Sequence, residues 1–267
     1  MAISALVRPT RILVTGYTGF VGRYLIAACR REFPDAQLFD LSRKHLTAQS
    51  LATTPDLLEL PDLPDTTSDY QNPSTRHVSK ELVQLQADMT EQEQVRQAVA
   101  VAQPDLVFHL AAQPSVARSW VEPVETLQIN ALGAVHLFES LRAERLLPRV
   151  VLVGSAEEYG LVRVEENPIS EDCLLRPVNP YAVSKAVQDI YGSQYFVSFG
   201  LPILRVRPFN HFGPAQGEVF VIANFARQIA LIEHGRPPPV ISVGNLDAQR
   251  DFLPVQDVIS AYIAVAK

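Results

Sequence analysis

The stretch Asn179-Pro-Tyr-Ala-Val-Ser-Lys185 puts a phenol and an ammonium four residues apart, just after a proline able to open a helix. On a helix, Tyr181 and Lys185 stand one turn apart on one face, with Cβ atoms roughly 6 Å apart. A phenol beside a fixed cation becomes more acidic, and such a pair can pass a proton to or from a substrate oxygen near neutral pH. A solvated helix face would carry the same two residues, so the reading rests on their neighbours. Ser155 follows the apolar run Val150 to Gly154 and is placed to donate a hydrogen bond to a substrate oxygen. Glu157, two residues on, can serve as a base or cap a turn.

The hydride or group donor for such chemistry has a candidate seat near the N-terminus. "GYTGFVG", Gly16 to Gly22, directly follows the β-forming run Arg11 to Thr15 and leads into a helical pattern marked by Gly22, Leu25, Ile26 and Cys29. In a strand, turn and helix, Gly16 would allow the tight turn, Gly19 the approach of backbone to a pyrophosphate, and Gly22 close helix packing. A glycine-rich turn without a ligand is the plain alternative. Asp40, at the end of a strand over 36–40 and 24 residues after Gly16, stands where a carboxylate could accept from an adenosine ribose. Arg43, three residues on, could instead hold a 2′-phosphate that Asp40 would repel.

Further elements must position these groups. The segment Thr47 to Arg76 is rich in Thr, Pro, Asp and Ser and is expected to be an exposed excursion. A strand is expected over 83–87, with Asp88 capping a helix over 91–101 or facing an adenine amine. A buried strand over 104–112 ends in small residues, Ala111 and Ala112, against which a flat cofactor could lie. His109 within it is expected to be a core histidine. A helix over 124–145 would show Leu127, Ala131, Ala134, Val135, Phe138 and Leu141 on one face. Then come a strand at 150–154, the helix after Pro180 and a sixth strand over 201–207. Polar Asn210 and His211 lie at its end, followed by a helix over 220–233, a short strand at 240–243, a turn at 250–252 and a closing helix over 255–267.

Composition bounds the function. The 267 residues, 47% hydrophobic and 19% charged, suffice for a large α/β core and exclude overall disorder. The formal charge of -6 and the lack of a dense Lys/Arg run argue against nucleic-acid binding. No run reaches membrane-spanning length, and Met1 to Thr10 has no signal-length apolar core. Cys29 and Cys173 lack zinc-ligand spacing, so no metal is expected; as reduced thiols they suit the cytoplasm.

The order of glycine turn, Ser155, Tyr181 and Lys185 resembles the extended short-chain dehydrogenase/reductase family over essentially the whole chain. "AAQPSVARSW", "RPFNHFGPAQ", "FVIANFARQIA" and "VGNLDAQRDF" resemble its GDP-sugar branch, nearest the 4-keto-sugar reductases. The resemblance implies a Rossmann-type doubly wound parallel sheet, with a dinucleotide domain over 1–200 and strand and substrate-lobe elements over 201–267. It implies a catalytic set of Ser155, Tyr181 and Lys185, with Glu157 at the position of a dehydratase carboxylate. It implies a cofactor set of Gly16, Gly19, Phe20, Gly22, Asp40, Arg43, Asp88, Leu110, Ala111 and Ala112, together with Tyr181 and Lys185. Substrate contacts are implied at Ser115, Asn210 and Arg250, the last at a diphosphate. The implied activity is NAD(P)H-dependent reduction of the 4-keto group of a GDP-6-deoxy-4-keto-hexose by a homodimer. The "SRK" at Ser42 favours NADP over NAD. A GDP-mannose 4,6-dehydratase, an epimerase and a non-catalytic dinucleotide binder are the alternatives. Relatives continue beyond the last helix, which implies a substrate lobe completed after Lys267.

Overall fold

A computed structural model describes residues 8–43, 75–79, 82–235 and 238–267. The excursion expected from Thr47 lies outside the described residues up to position 74. Its last two residues, Thr75 and Arg76, instead open a strand.

Seven strands form the main sheet: β1 (Arg11–Thr15), β2 (Gln37–Ser42), β3 (Thr75–Ser79), β4 (Leu82–Gln86), β5 (Leu106–His109), β6 (Arg149–Val153) and β7 (Ile203–Val206). Their order is β3-β4-β2-β1-β5-β6-β7, parallel throughout except for the antiparallel edge strand β3. The chain winds outward from β1 in both directions, so the crevice for a ligand opens at the carboxyl ends of β1 and β5.

Both faces of the sheet are covered, which is why its strands read as unbroken apolar runs. Ile12, Val14, Leu106 and Phe108 point into one core with α1 (Phe20–Glu32) and the closing helix α8 (Val255–Ala266). Leu13 and Val107 point into the other, with α2 (Gln92–Ala102) and α5 (Gly133–Ala143). The intervening helices are α3 (Val116–Val121) and α4 (Pro123–Leu127). The long α6 (Pro180–Phe199) sends Tyr195 into the second core.

Several expected boundaries change for identifiable reasons. The single helix expected over 124–145 is interrupted by a π-helical turn at Gln128–Leu132. The wider turn shifts the phase of the apolar stripe, so Leu127 is 40% exposed while Ala131 and Phe138 are fully buried. The strand expected at 240–243 has no ladder partner among the described residues, and Val240, Ile241 and Val243 are exposed. The turn expected at 250–252 leads instead into β9 (Phe252–Pro254), which pairs in parallel with β8 (Asn210–Phe212) as a separate ribbon. Between them α7 (Val221–Glu233) has no buried residue. Asp88 does not cap α2, whose N-cap is Glu91. Its Oδ1 instead accepts from the Thr90 amide and hydroxyl at 2.9 and 2.8 Å.

Asp40 departs most from expectation. Strand β2 runs two residues past it, and the residue is fully buried. Its Oδ1 accepts from the Tyr17 amide at 3.2 Å, and its Oδ2 accepts from Ser42 Oγ at 2.6 Å and Gln84 Nε2 at 3.2 Å. No surface is left for a ribose; Asp40 ties the glycine turn to the sheet. Burial pushes its carboxyl up to about 6 against the pull of these donors. Truncation would leave the Tyr17 amide without its acceptor in a dry interior and remove one of the acceptors of the Gln84 side chain. We therefore expect Asp40→Ala to lose about 1–3 kcal/mol of stability, measurable as a lower urea midpoint at unchanged slope.

Candidate active site

The glycine turn is built by steric necessity. Gly16 has φ +81°, and a Cβ there would lie 2.9 Å from the Ala111 Cα and amide nitrogen. A Cβ on Gly22 would lie 2.5 Å from Tyr17 Cα and 2.6 Å from the Gly16 carbonyl oxygen. Helix α1 therefore rides directly on the turn. Gly19, its N-cap, offers no side chain to the first amides, so those donors are left for a ligand.

The adjacent strand end is pinned to the turn. Thr15 Oγ1 accepts from the Ala111 amide at 3.1 Å and lies 2.8 Å from His109 Nδ1. His109 is wholly buried, and burial followed by the Lys185 charge pushes it down to about 3, so it stays neutral. Leu110, Ala111 and Ala112 follow, half-buried, over the crevice. At the ends of β2 and β4, exposed Arg43 sits with its Nη1 4.0 Å from Asp88 Oδ2. Phe20, the first residue of α1, stacks on His211 of β8 with ring centroids 6.3 Å apart. This places β8 beside the start of α1, and register places Asn210 opposite Phe252, two residues beyond exposed Arg250. The Arg250 Nη1 donates to the Gln249 carbonyl at 2.7 Å. Ser115 caps α3 by accepting from the Arg118 amide at 3.2 Å.

The catalytic candidates converge past the end of β6. Ser155 is buried, its Oγ accepting from the Glu157 amide at 3.2 Å, and it stands beside the half-buried Tyr181 phenol. Asn179 caps α6, its Oδ1 accepting from the Ala182 amide at 2.8 Å, while its Nδ2 donates to Glu157 Oε2 at 3.1 Å. Glu157 is thereby fixed beside the helix start that carries Tyr181. Lys185, 3% exposed, donates from Nζ to the Val153 carbonyl and to Gln188 Oε1, both at 2.8 Å.

The expected acidic phenol is not found. Tyr181 is pushed up to about 12, first by burial and then by the Glu158 and Glu157 charges, while only the Ser155 hydrogen bond opposes the rise. The Lys185 ammonium is spent on a carbonyl and an amide, so it does not offset the desolvation of the phenol. In this arrangement Tyr181 holds its proton firmly, which suits a donor.

Several neighbours escaped the sequence reading. Glu158, fully buried, accepts from the Ser155 amide through Oε1 at 2.7 Å. Asp189 accepts from Arg205 at 2.7 Å and from Arg207 at 2.8 Å. Asn130 donates to Ser184 Oγ at 2.9 Å, tying the π-helical turn to α6. The spacing of Gln188 and Asp189, three and four residues beyond Lys185 on one helix face, was the available signal. For Glu158 the only signal was its place beside Glu157.

Fold and crevice together are those of an extended short-chain dehydrogenase/reductase. The profile of the family described as GDP-mannose 4,6 dehydratase matches residues 13–267, and the chain belongs to that family. It is 43% identical over 160 residues to a GDP-6-deoxy-D-mannose reductase of Pseudomonas aeruginosa, an alignment covering 60% of this chain and 53% of that protein. The chain thus spans about half the length of that curated relative. Among solved structures, RMD from Pseudomonas aeruginosa complexed with NADPH superposes with a TM-score of 0.73 at 33% identity, over 96% of this chain and 72% of that one. The Thermus thermophilus UDP-glucose 4-epimerase in complex with NAD gives 0.75 at 26% identity, over 96% and 74%. Among the described residues no helix is long and apolar enough to cross a membrane, and no His, Cys, Asp and Glu group could hold a metal ion.

Proposed function

We propose that this chain carries the dinucleotide crevice and proton-transfer site of a reductase acting on the 4-keto group of a GDP-6-deoxy-4-keto-hexose. The observation that carries the reading is the convergence of buried Ser155 and half-buried Tyr181 past the end of β6, with buried Lys185 one turn further on and bonded to the Val153 carbonyl of that strand. The 43% identity to a GDP-6-deoxy-D-mannose reductase supports the substrate class.

The crevice fits a dinucleotide. The Cβ-free cradle of Gly16 and Gly22 and the uncapped amides of α1 suit a pyrophosphate. Leu110, Ala111 and Ala112 offer a flat wall, and Asp88 stands at the adenine end. Bound NAD(P)H would supply a hydride to carbon 4. Tyr181 gives its proton to the oxygen of the reduced carbonyl, and Ser155 holds that oxygen by a hydrogen bond. Lys185 presents a cation beneath the reacting groups. Asn210, Ser115 and Arg250 grip the nucleotide sugar, Arg250 at its diphosphate. Arg43 favours NADP, because the Asp40 carboxylate that would have repelled a 2′-phosphate is buried within the sheet. The enzyme belongs in the cytoplasm, where free thiols such as Cys29 and Cys173 persist.

A second reading is favoured by one observation: Glu157, held at the helix start by Asn179, supplies a carboxylate that a GDP-mannose 4,6-dehydratase would need to remove a proton from carbon 5. Assay of the purified protein separates the two. We expect oxidation of NADPH with the 4-keto-6-deoxy derivative of GDP-mannose, faster than that of NADH, and no turnover of GDP-mannose alone; turnover of GDP-mannose would replace the first reading with the second. Tyr181→Phe is expected to lower kcat at least 100-fold while leaving coenzyme affinity nearly unchanged in a fluorescence titration. Equal activity in the variant would remove Tyr181 as the proton donor. Exposed Trp120, Val121 and Val124 near α4, with Ile190 and Val197 on α6, suit a homodimer. Light scattering is expected to give twice the chain mass; a monomer at micromolar concentration would refute this.

A further inference from the structure

The most heavily charged part of the interior lies directly under the reacting groups. Glu158 occupies the 3₁₀ turn after β6, and its carboxylate is fully buried. Its Oε1 accepts from the Ser155 amide, and its Oε2 lies 3.3 Å from Arg207 Nε without hydrogen-bond geometry. The turn is shaped around this group: a Cβ on Gly154 would collide with Glu158 Oε1. Arg207 is held by Asp189, by Tyr159 Oη at 3.1 Å and by the Glu171 carbonyl at 3.1 Å. Asp189, 3% exposed, is shared with Arg205. Two anions, Glu158 and Asp189, thus stand with buried Lys185 and the mostly buried Arg207, while Arg205 reaches Asp189 from a more exposed position.

Such a charge is tolerated only when compensated. Lys185 meets only neutral acceptors, the Val153 carbonyl and Gln188 Oε1. Facing it from β5 is His109, which is neutral. From the turn after β6 comes Glu158, from β7 Arg205 and from just beyond it Arg207, and from its own helix Asp189 and Tyr181. Asp189 accepts hydrogen bonds from both arginines, whereas Glu158 Oε2 lies near Arg207 without one. Lys185 Nζ is bonded to the Val153 carbonyl and Glu158 Oε1 crowds the Cβ position of the next residue, Gly154, so Glu158 is the anion beside the ammonium. Burial lowers the Lys185 pKa and Glu158 opposes that fall. Reciprocally, burial and Asp189 raise Glu158, while the Ser155 amide, Lys185 and Arg207 oppose the rise.

We propose that Glu158 is a positioning residue of this site: its carboxylate fixes the Ser155 backbone and supplies the negative field that keeps buried Lys185 an ammonium. It touches neither substrate nor coenzyme. It acts through Ser155, whose backbone amide it holds, and through Lys185, whose charge the proposed reduction uses. The inference deepens the reductase reading and rests on it for the role of Lys185, but the charge state of the lysine is measurable without any substrate.

The test is NMR titration of the four lysines of this chain, labelled at Cε and assigned by substitution, in the wild-type protein, Glu158→Gln and Glu158→Asp. Glutamine keeps an acceptor for the Ser155 amide and removes the charge. Lys185 is expected to titrate roughly one unit or more lower in Glu158→Gln and to move back toward the wild-type value in Glu158→Asp. In the pH profile of kcat for keto-sugar reduction, the basic limb is expected to shift to lower pH in the same order, with KM changed less than threefold. Coincident Lys185 titrations in wild type and Glu158→Gln would overturn the proposal and leave Glu158 a mere cap. A shifted lysine with no activity toward the keto-sugar would instead fault the substrate reading alone. Should Glu158→Gln not fold, the carboxyl ¹³C shift of Glu158 in the wild-type protein decides: an anion across the range where Lys185 is charged supports the proposal, and a neutral carboxyl there overturns it.

Discussion

Burying the Lys185 ammonium is the act on which the rest of the site depends. An uncompensated charge in a closed interior is so costly that the group would give up its proton. The structure answers with a carbonyl at the end of β6, a helix amide three residues on, and a carboxylate whose own burial is offset by Arg207. Each partner makes a demand in turn. Gly154 must lack a side chain to admit Glu158, and Gly192 must lack one because a Cβ would lie 2.6 Å from Leu152 Cδ2. That contact seats α6 close against β6.

Parallel winding then brings separate segments to one edge. Because β1, β5 and β6 point the same way, the glycine turn, the alanine turn and the Ser155 turn all emerge side by side. Short ties hold them in register: Thr15 to Ala111 and His109, Asp40 to Tyr17, Asn179 to Glu157. The ribbon of β8 and β9 meets the main body through Phe20 and His211 and through Leu253, which packs against the first core, while α7 buries no residue.

Much of this was legible in the chain itself. The runs from Arg11, Pro104 and Val150 read as buried strands because both faces of a parallel sheet are covered, and the three glycines directly after the first run read as a turn before a helix. Tyr181 and Lys185 read as one helix face because their spacing matches the helical period. Legibility failed where the outcome depended on contacts distant in sequence. The π-helical turn at Gln128 leaves no mark on the apolar pattern until Leu127 is seen exposed. The sequence around Val240 has strand propensity but finds no partner to pair with.

Asp40, Tyr181 and Glu158 mark the division between what sequence and tertiary structure decide. Residue types and local spacing alone determined the fold class, the glycine turn and the candidacy of Ser155, Tyr181 and Lys185, because period and steric permission are local properties. Whether a carboxylate meets solvent or a buried amide is a property of the assembled interior. Only there does Asp40 turn from a ribose acceptor into a tie for the glycine turn, the Tyr181 phenol rise instead of fall, and Glu158 stand beneath the lysine: desolvation and Coulomb terms depend on everything packed around a group, and that is set when the chain closes on itself.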